Sequence, residues 1–141
     1  MQSIHNFLRC FFNKANYLQP IILLLMRLWI ARVFFLAGLV KIADFDNTVA
    51  LFRDEYMTPF ISPTLAAFSA TSFELACPIF IALGLASRLA VLPLLVMTLV
   101  IQLTYDQNIQ HAYWGMLLLN ILAFGSGKFS LDYLLGKKIL K

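Results

Sequence analysis

With 141 residues the chain has room for one domain. Its 61% hydrophobic and 13% charged residues, against roughly 25% charged in soluble proteins, exclude a water-soluble globule, because so small a particle has too little interior to hide that apolar surface. The net charge of +4 rests on Lys and Arg beside apolar runs, which points to the anionic face of a bilayer and away from nucleic acid. The first apolar run starts late and lacks a small-x-small pattern, so a cleaved signal peptide is not expected.

Residues 1–17 come first. Ile4, Phe7, Leu8, Phe11 and Phe12 fall at i, i+3, i+4, i+7 and i+8, with His5, Asn6, Arg9 and Asn13 between them. This spacing predicts an amphipathic helix lying in the membrane interface. Residues 18–141 read as one membrane domain. A spanning helix needs roughly 20 mostly apolar residues, and candidate spans lie at about 20–43, 63–86, 88–105 and 110–124. Pro20 suits a first helical turn, where its missing N–H costs nothing. The fourth segment is short, so a two- or three-span chain is the rival arrangement. After Ser130, a candidate N-cap, Leu131, Leu134, Leu135 and Ile139 repeat the helical spacing, and Lys137, Lys138 and Lys141 close a second surface helix. The predicted fold is all-α: an integral four-helix membrane bundle with amphipathic interfacial helices at both termini.

Loop charges set the orientation. Arg9, Lys14, Arg88, Lys128, Lys137, Lys138 and Lys141 share one side; Arg53 stands on the other with Asp44, Asp46, Asp54, Glu55 and Asp106. The positive-inside rule puts both termini in the cytoplasm of an inner-membrane protein. Tyr105, Tyr113 and Trp114 then form an outer aromatic belt.

Four ionisable residues fall inside the spans: Arg27, Arg32, Lys41 and Glu74. Each costs roughly 2.5–3.5 kcal/mol at the bilayer centre, so each should face the bundle or reach an interface. Arg27, Ala31, Phe34, Gly38 and Lys41 form one stripe on the first helix, while Arg32 is offset by about 140° from Arg27. Arg27, nearest the inner edge, suits snorkelling. On the second helix Ala67, Ala70, Thr71, Glu74 and Cys77 share a small, polar face, and Leu65, Phe68, Phe73, Ile79, Phe80 and Leu83 lie mostly elsewhere. Pro78 cannot bond the carbonyl four residues back, which is that of Glu74. Arg32 and Lys41 are both candidate partners for Glu74. The pair is either a lock on the bundle or the polar end of a ligand site. Gln102 and Asn120 are expected to bond between helices, with ligand contact by Gln102 as the other reading.

Cys10 and Cys77 lie at different depths, and His5 and His111 on opposite sides. No disulfide, metal site or haem site is expected, and no self-contained catalytic motif is present.

These residues together resemble the DoxX family of small membrane proteins. Arg27, Phe34, Gly38 and Lys41 are similar to its R…F…G..K stripe. Glu74 followed by Gly84-Leu85-Ala86-Ser87-Arg88 is similar to its E…G-L-x-[TS]-R ending. Gly125-Ser126-Gly127-Lys128-Phe129-Ser130-Leu131-Asp132 is similar to G-x-G-[KR]-x-S-x-D. The resemblance covers about residues 20–135. Arg32 departs from it, as an extra charge, and so does the amino-terminal segment. It implies a four-helix bundle and association with quinone- or thiol-linked membrane oxidoreductases. Gly125 and Gly127 would let the chain leave the fourth helix, Ser130 would cap the next, and Asp132 could pair with Arg88 to tie the tail to the second loop.

The expected function is a non-catalytic subunit or anchor of such an assembly, with the bilayer and oxidoreductase subunits as partners. The alternatives are a quinone- or lipid-binding protein in its own right, with quinone as a non-covalent ligand at Glu74, Arg32 and Lys41, or a small transporter, which four short helices could form only as a homo-oligomer.

Overall fold

A computed structural model describes residues 2–56, 61–104 and 108–139, and side chains within 17–56, 61–103 and 108–136. The described residues form helices: α1 Gln2–Ala43, α2 Phe45–Asp54, α3 Pro63–Leu83, α4 Ser87–Thr104, α5 Ile109–Phe124 and α6 Leu131–Ile139. α1 packs along α3, α3 on α4, α4 on α5, and α1 touches α5. Residues 17–43 and 63–83 are long and apolar enough to cross a membrane; the apolar segments 87–103 and 109–124 are shorter.

α1 differs from the expected interfacial helix followed by a separate span. It is one helix of 42 residues with Pro20 inside it. Proline in a helix interior costs about 3 kcal/mol, and no glycine among residues 2–19 offers the chain a place to stop. The helix nonetheless continues through Pro20. The amphipathic pattern at residues 4–13, with Cys10 and His5, lies outside the residues whose side chains are described.

α2 falls where the spacing of spans leaves a loop. Asp44 caps it, its Oδ1 accepting the Asn47 N–H at 3.1 Å. Asp46 in the first turn and Arg53 in the last both suit the helix dipole. The buried Thr48 hydroxyl reaches Lys41 O at 3.1 Å and Asp44 O at 2.9 Å, fixing α2 to the end of α1.

The boundaries of α3 have identifiable causes. Ser62 accepts the Leu65 N–H at 3.4 Å with Pro63 at the first helical position. The helix stops at Leu83, short of the expected 86. Gly84 is left-handed at φ 70°, and Leu85 N–H closes the end on Phe80 O at 2.9 Å. α5 starts from Asn108, whose side chain accepts the Gln110 N–H at 3.0 Å. Ser130 caps α6 as its sequence position predicts, accepting the Tyr133 N–H at 3.2 Å.

The core sits in the half of the bundle nearer Gly84. Ile30, Phe34, Cys77, Ile81, Val91, Leu94, Leu118 and Ile121 are buried together. Outside it the helices carry exposed apolar side chains, among them Trp29, Val40, Leu65, Phe68, Leu89, Val96, Met116 and Phe124. That distribution is what an apolar solvent permits and water does not.

Candidate functional site

Two polar clusters stand at opposite ends of the α1–α3 pair. The first joins Lys41, in the last turn of α1, to Glu74 in the middle of α3. Lys41 Nζ donates to both Glu74 oxygens at 2.6 Å. The Glu74 side chain is 2% exposed and that of Lys41 16%. Of the two candidate cations, Lys41 is thus the partner. Glu74 leans toward the N-terminus of its own helix, as helical side chains do, and that direction leads to Lys41. Arg32 lies on an exposed face of α1, away from the pair.

Close helix approach makes the pairing possible. The stripe Arg27, Ala31, Phe34, Gly38 and Lys41 does face inward, as does Ala67, Ala70, Thr71, Glu74 and Cys77 on α3. A Cβ on Gly38 would stand 3.0 Å from Leu75 side-chain atoms and 3.1 Å from the Glu74 carbonyl carbon. Glycine there lets α1 sit directly against the backbone that carries the carboxylate. Phe68, Phe73, Ile79 and Phe80 point outward.

A cavity of about 320 Å³ opens beside the pair. Lys41 and Glu74 form its charged wall; Ala66 and Ala70 of α3, Pro93 and Met97 of α4, Phe52 of α2 and Tyr56 just after it form much of the rest. Its rim includes Phe73, 44% exposed, and Val96, 61% exposed, so it opens through the apolar outer surface between α3 and α4. The α2 contribution is invisible when residues 44–62 are taken as a loop. Its signal was available: Asp44 as a cap, then Phe45, Thr48, Val49 and Phe52 at helical spacing.

The second cluster ties the tail to the α3–α4 turn. Arg27 is fully buried and does not snorkel. Its Nη2 donates to Phe129 O, and Asp132 supplies compensating negative charge. The segment after α5 folds back across the helix end and covers the guanidinium. Among the described residues, Arg27 Nε and Nη1 and the buried Ser87 Oγ have no hydrogen-bond partner.

Asp132 does not pair with Arg88. Its Oδ1 accepts the Ala86 N–H at 2.8 Å and its Oδ2 the Ser126 hydroxyl at 3.0 Å, while its own N–H donates to Gly84 O at 3.0 Å. Arg88 donates instead to Ala123 O at 3.2 Å. The tail is still joined to the second loop, through backbone groups that the left-handed Gly84 and Ala86 turn toward it. Gly125 and Gly127 take φ of 74° and 72°, the freedom expected of them.

The remaining sites stand apart. Gln102 lines a separate cavity of about 360 Å³ with Thr98, His111 and Gly115, its buried Oε1 without a partner among the described residues. Pro78 is buried in α3. Cys77 is a buried free thiol. No cluster of metal-ligating side chains occurs among the described residues.

Apolar helices turned outward around a small charged pair define an integral membrane protein built of helices. The sequence model of the DoxX family matches residues 22–107, more than half of the chain, and the chain belongs to that family. The match includes the α1 stripe and the Glu74-to-Arg88 motif; the terminal motif at 125–132 lies beyond it. No curated protein and no solved structure matches.

Proposed function

We propose that this chain is a non-catalytic inner-membrane subunit, with four spans and both termini cytoplasmic, that holds the ring of a quinone at Lys41 and Glu74 within a quinone-linked oxidoreductase assembly. The four spans are α1, α3, α4 and α5. α4 and α5 have 18 and 16 residues, about 27 and 24 Å of helix, so the bilayer thins locally to meet them. The Gly84 end, with Arg88 and Lys128, is the cytoplasmic one by the positive-inside rule.

One observation carries the ligand reading: an apolar cavity reached from the lipid surface and walled at depth by an ion pair. Ligand cavities are mostly apolar with a few placed polar groups, and usually hold roughly 300–1,000 Å³. At about 320 Å³ this one suits a substituted ring and the first part of a tail, with the rest lying along α3 and α4. A bound quinone supplies reversible two-electron chemistry. Glu74 occupies two donor directions of the Lys41 ammonium, which has three. The third is available to a ring carbonyl, and Glu74 holds the ammonium in place for it. A transport path through a single copy would have to cross the core of Ile30, Ile81, Leu94 and Leu118, all fully buried, which favours binding over flux.

The test is saturable binding of a short-chain benzoquinone to the detergent-purified chain, with its carbonyl stretch followed by infrared spectroscopy. Wild type should shift the carbonyl band to lower frequency. Ser69→Phe, which places bulk at a cavity-lining position, should abolish binding and leave helical content unchanged. Equal uptake by both proteins would refute the ligand reading. Native-membrane cross-linking that recovers no oxidoreductase chain would refute the assembly.

A further inference from the structure

Arg32 is the intramembrane cation that neither cluster uses. It is exposed on α1, and among the described residues no hydrogen bond or ion pair reaches it. A guanidinium left bare in hydrocarbon costs several kcal/mol on insertion scales, so Arg32 calls for solvation or a counter-charge beyond the described residues.

Depth narrows the source. Arg27 lies at the level of Gly84 and Phe129, the Gly84 end of the bundle. Arg32 is five residues further along α1, about 7.5 Å. Its side chain leans back toward the helix N-terminus, toward that same end. An arginine spans such a gap by snorkelling, which puts its charge at the headgroup level of the leaflet on the Gly84 side.

The surface around Arg32 is shaped as well as charged. Two apolar grooves meet at Leu28 and Arg32, which line both. One, about 380 Å³, runs along Pro78, Ile79 and Ala82 of α3. The other, about 510 Å³, runs past Leu25 and Trp29 to Leu117 of α5. A cation at the junction of two apolar grooves matches a molecule with one anionic head and two hydrocarbon tails. A second copy of the chain fits less well. Its described acids are Glu74, already paired, and Asp44, Asp46, Asp54, Glu55 and Asp132, which stand at the helix ends or in α2.

We infer that Arg32 and its flanking grooves form a binding site for an anionic phospholipid of the leaflet on the Gly84 side. The site rests on the spanning arrangement proposed above and is independent of the quinone reading.

The experiment reconstitutes the full chain in nanodiscs of equal phosphatidylcholine and phosphatidylglycerol, then measures by native mass spectrometry which lipid stays bound on release. Wild type should retain phosphatidylglycerol preferentially. Arg32→Leu should lower the bound ratio of anionic to zwitterionic lipid about fivefold, the weight of one basic residue at an anionic surface. Arg32→Lys should keep most of it. Removing a charge from an apolar surface does not threaten insertion, and Arg32→Gln repeats the test with a polar side chain of similar length. A ratio unchanged in Arg32→Leu overturns the inference. So does loss of a co-purifying polypeptide from Arg32→Leu with bound lipid unaltered, which would give the counter-charge to another membrane helix. Quinone binding should be the same in all these variants.

Discussion

Gly84 and Arg27 meet where α3 ends: a Cβ built on Gly84 would stand 2.0 Å from Arg27 Nη1 and 2.5 Å from Ser130 Cβ. The same residue is left-handed at φ 70°. Gly84→Ala therefore meets a steric conflict and a backbone penalty together. The expected loss is at least about 3 kcal/mol. It should appear as aggregation on extraction or a much lower melting temperature in detergent. Wild-type melting would show that Arg27 can leave its position freely.

The Lys41–Glu74 pair should be more sensitive to the loss of one partner than of both. Lys41→Met or Glu74→Leu alone leaves a buried charge uncompensated, at a cost of about 3–5 kcal/mol. The double variant should recover most of that stability. Chemical denaturation of the four proteins forms a double-mutant cycle; additive losses would mean that the two side chains do not depend on each other.

Asp132→Ala removes acceptors for Ala86 N–H and the Ser126 hydroxyl. Two net hydrogen bonds amount to roughly 2 kcal/mol. The loss should fall on the tail, seen as faster proteolytic cleavage within residues 125–139. Arg88→Gln should do less, because Arg88 is exposed and its bond to Ala123 O is replaceable by solvent. Equal cleavage rates for both variants would remove Asp132 from its role as the staple.

Thr48→Val keeps the shape of the side chain and deletes its hydroxyl. The ties to Lys41 O and Asp44 O go with it, at about 1 kcal/mol. Amide exchange in α2 should quicken while exchange in α3 stays as it is. Unchanged α2 exchange would mean that α2 is held by its apolar side alone.

Much of this architecture was legible as periodicity. The inward stripes of α1 and α3 follow from steps of three and four, because a helix presents such residues on one face whatever it packs against. Ser130 as a cap and Gly125 and Gly127 as chain exits follow from local chemistry. What failed depends on contacts distant in sequence. Arg27 reads as a snorkelling residue until Phe129 is seen to fold over it. Asp132 and Arg88 read as an ion pair because charge is visible in a sequence, whereas the competing donor is a backbone N–H freed by the left-handed turn at Gly84. Pro20 reads as a start because proline favours first turns, yet α1 runs on either side of it. The choice between Arg32 and Lys41 was open by depth and closed by lateral position. α2 is hidden in the sequence because Asp44, Asp46 and Asp54 give its segment the polarity of a loop.

The Arg27–Phe129 contact joins residues 102 apart in the chain, and that separation sets an order of assembly. Arg27 leaves the ribosome inside the first apolar segment long before its acceptor has been synthesised. Until the last tenth of the protein arrives, the first helix carries a charge with no cover. Synthesis cut short after α5 would thus yield a chain with α1 to α5 complete, α6 missing and the Arg27 guanidinium still uncovered.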